Sequence, residues 1–245
     1  VTMAVNERNC ADDPPLLLLA GTLCDARLFE PMLRNAALTG RPVVHCDMTG
    51  LASAHGLAER ALSRVSGPFI AVGFSLGAIV ALEMAVLAPE RVAAMALIAA
   101  SGRDVPDADH AARRAAAMID PGVLVGEVLW ERSVAAAAQG DNALKETIVA
   151  MARSQPPGTL ALQVEVALTR SDKRPLLLAM QMPAVVLGGA EDRIAPPELQ
   201  RELAEGLPDA ELVIAPGAGH FLPLECPDLC ARTLADWLAH VRTLA

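Results

Sequence analysis

The chain has 245 residues, a formal charge of −9 and 53% hydrophobic residues, with charged residues at 20%. Those proportions exclude a disordered or low-complexity chain and fit one domain with room for an excursion. Lysine occurs only at Lys145 and Lys173, which excludes a lysine-rich face for a phosphate backbone, so no nucleic-acid partner is expected.

The opening VTMAVNERNCADD lacks a basic stretch followed by an apolar one, and no secretory signal is expected. Leu16–Ala20 is an apolar run suited to a strand buried on both sheet faces. A helix is expected over Arg27–Leu38, a strand over Val43–Asp47, a helix over Leu57–Val65 and a strand over Phe69–Phe74. The uncharged run from Val65 to Leu82 has the length of a membrane span. Gly67, Pro68, Gly73 and Gly77 divide it into loop, strand, turn and helix, so no membrane insertion is expected. The helix Leu76–Leu87 ends before Pro89, and Val92–Ala100 is the next strand. Strands alternating with helices imply parallel pairing with right-handed crossovers.

The alternation stops at Ser101. From Arg103 to Met180 the composition is helical, with breakers at Pro121-Gly122, Gly140 and Pro156-Pro157-Gly158, and three or four helices are expected there without a strand. Alternation resumes with strand Ala184–Gly189, helix Pro197–Glu205, strand Glu211–Ala215 and helix Leu229–Val241. The expected fold is therefore α/β: a mostly parallel, doubly wound sheet of about six strands. Residues 1–102 and 181–245 form its core, and residues 103–180 form an inserted helical cap. An insertion between two strands of one parallel sheet belongs above the carboxyl edge, where ligands bind in such sheets.

The five cysteines, Cys10, Cys24, Cys46, Cys226 and Cys230, are odd in number and scattered, which suits reduced thiols in the cytoplasm. No histidine stands at metal-ligand spacing from Cys226 and Cys230, and no metal site is expected.

The strand Phe69–Phe74 runs directly into Gly73-Phe74-Ser75-Leu76-Gly77 and a helix. G-x-S-x-G between a strand and a helix is the pattern of a nucleophile elbow, with Ser75 exposed on a strained turn at a helix N-terminus. A serine hydroxyl needs a base. His220, on the glycine-rich loop after the last strand, is the candidate, whereas His45, His55, His110 and His240 lack such a setting. The ring needs a carboxylate to fix its tautomer, and Asp192 follows the strand Ala184–Gly189, with Glu191 as its neighbour and competitor. The chain order serine, acid, histidine fits this assignment. For the oxyanion, the backbone N–H of Leu76 is the first expected donor and that of Thr22, in the loop after the first strand, is the second.

Taken in order and separation, AGTLCD, GFSLGA, GGAEDRIAPP and GAGHFLPLECP make nearly the whole chain resemble the α/β-hydrolase superfamily. The resemblance is to small bacterial carboxylesterases with a helical cap, including pimeloyl-carrier-protein methyl esterases and enol-lactone hydrolases. It implies Ser75 as nucleophile, Asp192 as acid, His220 as base, Thr22 and Leu76 as the oxyanion hole, and no cofactor. The chain departs from many relatives in having Ala20 where they have histidine before the glycine of the oxyanion loop.

Serine at the elbow favours carbonyl attack and an acyl-enzyme. The expected activity is hydrolysis of small to medium apolar carboxylic esters. The alternatives are a lactonase, a thioesterase, a carbon–carbon bond hydrolase, or a ligand receptor of the same fold without catalysis. Relatives that hydrolyse epoxides or haloalkanes carry aspartate at the elbow, and the total absence of tyrosine also argues against epoxides. Trp130, the sole aromatic of the insertion, and Phe221 are the candidate substrate contacts. Arg113, Arg114, Arg170 and Arg174 fit a solvated face, with attraction of a carboxylate or a carrier-protein phosphate as the alternative.

Overall fold

The structure, a computed structural model, describes residues 13–244. The expectation of no secretory signal, and Cys10, lie outside the described residues.

Among the described residues, six strands form one sheet: β1 (Leu16–Leu19), β2 (Val43–His45), β3 (Phe69–Phe74), β4 (Val92–Ile98), β5 (Ala184–Gly189) and β6 (Ala210–Ala215). Their order is β2-β1-β3-β4-β5-β6 and every pairing is parallel. Val72 of β3 stands opposite Leu18 of β1 and Ala96 of β4. Every residue of β1, β3 and β5 is buried, whereas the edge strands β2 and β6 are half-exposed. The near-continuous apolar runs of the inner strands follow from coverage on both faces. Because all strands point one way, the loops after β1, β3, β5 and β6 emerge at one edge.

Helices of nine residues or more are α1 (Ala54–Leu62), α2 (Leu76–Leu87), α3 (Asp107–Ala116), α4 (Asn142–Arg153), α5 (Thr159–Thr169), α6 (Pro197–Gly206) and α7 (Pro227–Leu244). The helix α2 is alanine- and leucine-rich and buries nine of its residues, packed between sheet strands, α1 and α5. It is apolar nearly all round because it has neighbours nearly all round. The helix α1 begins three residues before the sequence-based expectation, because the Ser53 side chain caps it by accepting from Gly56 N–H.

The continuous helix expected over Arg27–Leu38 is instead three short turns, Ala26–Leu28, Glu30–Leu33 and Ala36–Leu38. Asp25 and Asn35 each cap a 3-10 turn by accepting from the backbone two residues on. Pro31 supplies no N–H to join the pieces.

Between β4 and β5 the chain is helical, without a strand. The breakers act as helix starts: Pro121 opens a turn capped by Asp120, Asp141 after Gly140 caps α4, and Gly158, at φ 83°, precedes α5. The run from Pro121 to Ser133 passes through a π-helical stretch at Leu124–Val128. Among the described residues, no helix is long and apolar enough to cross a membrane.

Candidate active site

At the end of β3 the backbone reverses at Ser75, which takes φ 51° and ψ −111°. A non-glycine residue there costs roughly 1–3 kcal/mol, held by the surroundings. Two glycines make the turn sterically feasible. A Cβ on Gly77 would fall 1.9 Å from the Leu19 carbonyl oxygen, and one on Gly73 would fall 2.6 Å from Ala78 Cα. Strand, turn and helix therefore approach each other as only glycine permits. Ser75 N–H donates to Ile98 O of β4 at 2.9 Å, which fixes the turn to the sheet.

His220 lies on the loop after β6 and Asp192 on the loop after β5. The structure brings both to Ser75. His220 Nε2 lies 3.1 Å from Ser75 Oγ, and His220 Nδ1 lies 2.8 Å from Asp192 Oδ2. A carboxylate only accepts, so the ring donates through Nδ1–H and leaves Nε2 to accept from the serine hydroxyl. Asp192 is 2% exposed and His220 6% exposed. The second carboxylate oxygen, Asp192 Oδ1, accepts from Ile194 N–H and Ala195 N–H at 2.8 Å each, so the acid is fully engaged. The neighbouring Glu191 faces elsewhere, accepting from Ala136 N–H at 2.8 Å. The Phe74 ring, 5.1 Å from the imidazole between centroids, packs against His220.

This line opens into a cavity of about 540 Å³, a size ordinary for small-molecule sites. Thr22, Leu76 and Phe221 line it together with Ser75 and His220. Leu76 is the first residue of α2, and the first amides of a helix have no intrahelical acceptor. Trp130 does not line the cavity, contrary to its reading as a substrate contact. Its indole N–H donates to Gln139 O at 3.1 Å, and Lys145 Nζ sits 5.3 Å from the ring centroid. An indole needs a partner for its N–H when buried, and this one finds it inside the insertion. Elsewhere, burial pushes the Cys24 thiol up to about 12 and the Cys46 thiol up to about 11. Neither is a thiolate nucleophile at neutral pH. Among the described residues no cluster of three or more potential metal ligands occurs.

Two polar residues in this region escaped the sequence reading. Gln163, on α5 and 1% exposed, accepts from Leu23 N–H at 2.8 Å and donates from Nε2 to Met48 O at 3.0 Å. It ties the helical excursion to the loops after β1 and β2, and holds the residue next to Thr22 at its φ of 58°. Its signal in the sequence is a lone amide on the apolar stripe Leu160–Gln163–Val166. Glu225 accepts through Oε2 from Gly219 N–H at 2.9 Å and Ala135 N–H at 2.8 Å. Burial pushes its carboxyl above the usual glutamate range. It joins the residue before His220 to the excursion, which also receives His220 N–H on Ser133 O at 2.8 Å.

An alcohol, an imidazole and a buried carboxylate in this sequence of contacts can move a proton from oxygen to nitrogen while the acid stabilises the imidazolium. Comparison with known proteins agrees with the architecture. Residues 66–227 match a family described as the alpha/beta hydrolase fold. A pimeloyl-[acyl-carrier protein] methyl ester esterase of Chromobacterium violaceum is 35% identical over 181 residues, covering 70% of each chain. Two solved structures share the fold. A thermophilic esterase from Thermogutta terrifontis has a TM-score of 0.86 at 24% identity, over 94% of this chain and 90% of that one. The enol-lactonase from Burkholderia xenovorans LB400 has a TM-score of 0.81 at 19% identity, over 94% of this chain and 93% of that one. The chain belongs to the alpha/beta hydrolase fold family.

Proposed function

We propose that the protein is a serine hydrolase of small to medium, largely aliphatic carboxylic esters. The observation that carries this reading is the hydrogen-bonded line from Ser75 Oγ through His220 to Asp192, opening into the cavity of about 540 Å³. Ser75 Oγ attacks the ester carbonyl as its proton passes to His220 Nε2, forming a tetrahedral intermediate. The backbone N–H groups of Thr22 and Leu76 hold the oxyanion, a donor of this kind being worth about 3–4 kcal/mol in the transition state. The C–O bond to the alcohol breaks, and His220 returns the proton to the departing oxygen. Water, deprotonated by His220, then cleaves the acyl–serine bond, releasing the acid and restoring the hydroxyl.

The methyl ester esterase named above supports small alkyl esters as the first substrates to offer. The residues 103–180 act as the cap over the site, with Phe221 against the substrate.

The test is burst release of p-nitrophenol from p-nitrophenyl esters of graded acyl length, repeated with Ser75→Ala. Turnover should fall about 10⁴- to 10⁶-fold in that variant. Tight binding of the esters with no turnover by the wild type would instead make the protein a receptor.

A further inference from the structure

Of the arginines that the sequence offered as an anionic contact, two are already occupied. Arg114 forms a two-pronged pair with Glu165 at 2.7 and 3.0 Å. Arg174 pairs with Asp172 at 2.6 Å and also reaches Glu202. Arg113, on α3, and Arg170, just past α5, form no ion pair among the described residues. Both line the cavity that holds Ser75 and His220.

The charge balance of that lining is unusual for a chain of net charge −9. Its charged residues are Arg113, Arg132 and Arg170 against Asp109 alone, and Asp109 pairs with none of them among the described residues. Arg132 is turned to the protein, donating to Arg193 O at 3.2 Å. Arg170 donates through Nε to Arg103 O at 2.7 Å, and its two Nη atoms make no hydrogen bond among the described residues. Burial first, and then the adjacent Arg113, push the Arg170 guanidinium down to about 10, with Asp104 working the other way. Two neighbouring like charges, one of them half-buried, raise the free energy of the empty protein. An anion between them would lower it. The planar guanidinium fork matches a carboxylate in particular, and aliphatic side chains such as Ile79, Leu129, Leu160 and Val164 make up much of the remaining wall.

We propose that Arg113 and Arg170 bind a carboxylate carried by the substrate at a distance from the bond being cleaved. The preferred substrate class is then an ester with a free carboxylate on an aliphatic chain, in preference to its neutral counterpart. This rests on the ester-hydrolase reading above.

The test compares kcat/KM for monomethyl and dimethyl esters of straight-chain dicarboxylic acids, from succinate to suberate. In the wild type the monoester should lead by about tenfold or more at the best-fitting length, as expected for charge-assisted bonds. Arg113→Gln and Arg170→Gln should each lower that ratio about fivefold, and Arg170→Lys should retain part of it. The ratio compares two substrates on one preparation, so partial loss of folded protein cancels. A wild-type ratio near one at every length, or a ratio unchanged in the double glutamine variant, would overturn the proposal. If neither ester is turned over, the hydrolase reading has failed instead. Calorimetry with the free dicarboxylates then decides the arginine site. Binding by wild type that is lost in the double variant supports it, and no binding by wild type overturns it.

Discussion

Every residue of β1, β3 and β5 is buried, whereas α3 in the helical excursion buries none of its residues fully. The sheet is held by apolar contact on both faces and by its ladder. The excursion shares that apolar core through residues such as Leu124, Leu160 and Val166, and polar ties hold it at named points as well. Gln163 reaches Leu23 and Met48, Glu225 and Glu191 accept from Ala135 and Ala136, and Lys173 forms a 2.5 Å ion pair with Glu83 of α2. Apolar contact is non-directional and tolerates small shifts, whereas a buried hydrogen bond fixes a distance and an angle. Three of these ties end on the loops after β1, β5 and β6, and the others on the loop after β2 and on α2, so the excursion helps to fix the loops that line the cavity.

The largest effect should come from the Asp192–His220 contact, which the proposed mechanism uses directly. Asp192→Asn presents an amide to His220 Nδ1 and favours the wrong tautomer, so kcat on a p-nitrophenyl ester should fall about 10⁴-fold. Glu191→Gln, one residue away, keeps an oxygen for Ala136 N–H and should change kcat less than about threefold. Steady-state kinetics on the pair separates a tie that holds the excursion from one that acts on the ring. Equal losses in both would remove the distinction.

A smaller loss tests whether the excursion sets the loop after β1. Gln163→Leu leaves Leu23 N–H and Met48 C=O buried without their partner. Each such group costs about 1–3 kcal/mol, measurable as a drop in unfolding free energy in urea. Because Leu23 follows Thr22, kcat should fall more than KM rises, by about tenfold. A variant that loses stability with unchanged kcat would leave Gln163 as a brace with no hold on the loop that bears Thr22.

The same contrast explains what could be read from the sequence. The bounds of β3 and α2 are visible residue for residue, because an uncharged strand ending at Phe74 and a helix starting after Ser75 leave no other register. The loops bearing Asp192 and His220 are legible because each follows an apolar strand. Over Arg27–Leu38 the periodicity favours one helix, but two side-chain caps and Pro31 divide it, and such local competition has weak signal. Trp130 shows why residue type misleads in the excursion: an aromatic there satisfies its own helix packing. Gln163 and Glu225 act across separations of 140 and 90 residues, which no local pattern encodes.

The subtlest prediction concerns Glu225, whose carboxylate is half-buried between the His220 loop and the excursion. Burial raises its pKa in the folded state above the ordinary 4.5. Between that ordinary value and the raised one, the folded protein therefore binds more protons at this site than the unfolded chain does. Stability contributed here accordingly rises as pH falls through the window, and is lost again as pH climbs above it. Glu225→Gln keeps an oxygen for Gly219 N–H and Ala135 N–H but cannot titrate. Urea unfolding of both proteins across the acid range cancels every other titrating group they share. The wild type should gain on the variant as pH falls towards 4.5, with the difference levelling off below it. A difference that stays flat, or that moves towards the variant on acidification, would mean that the tie between His220's loop and the excursion carries no buried charge.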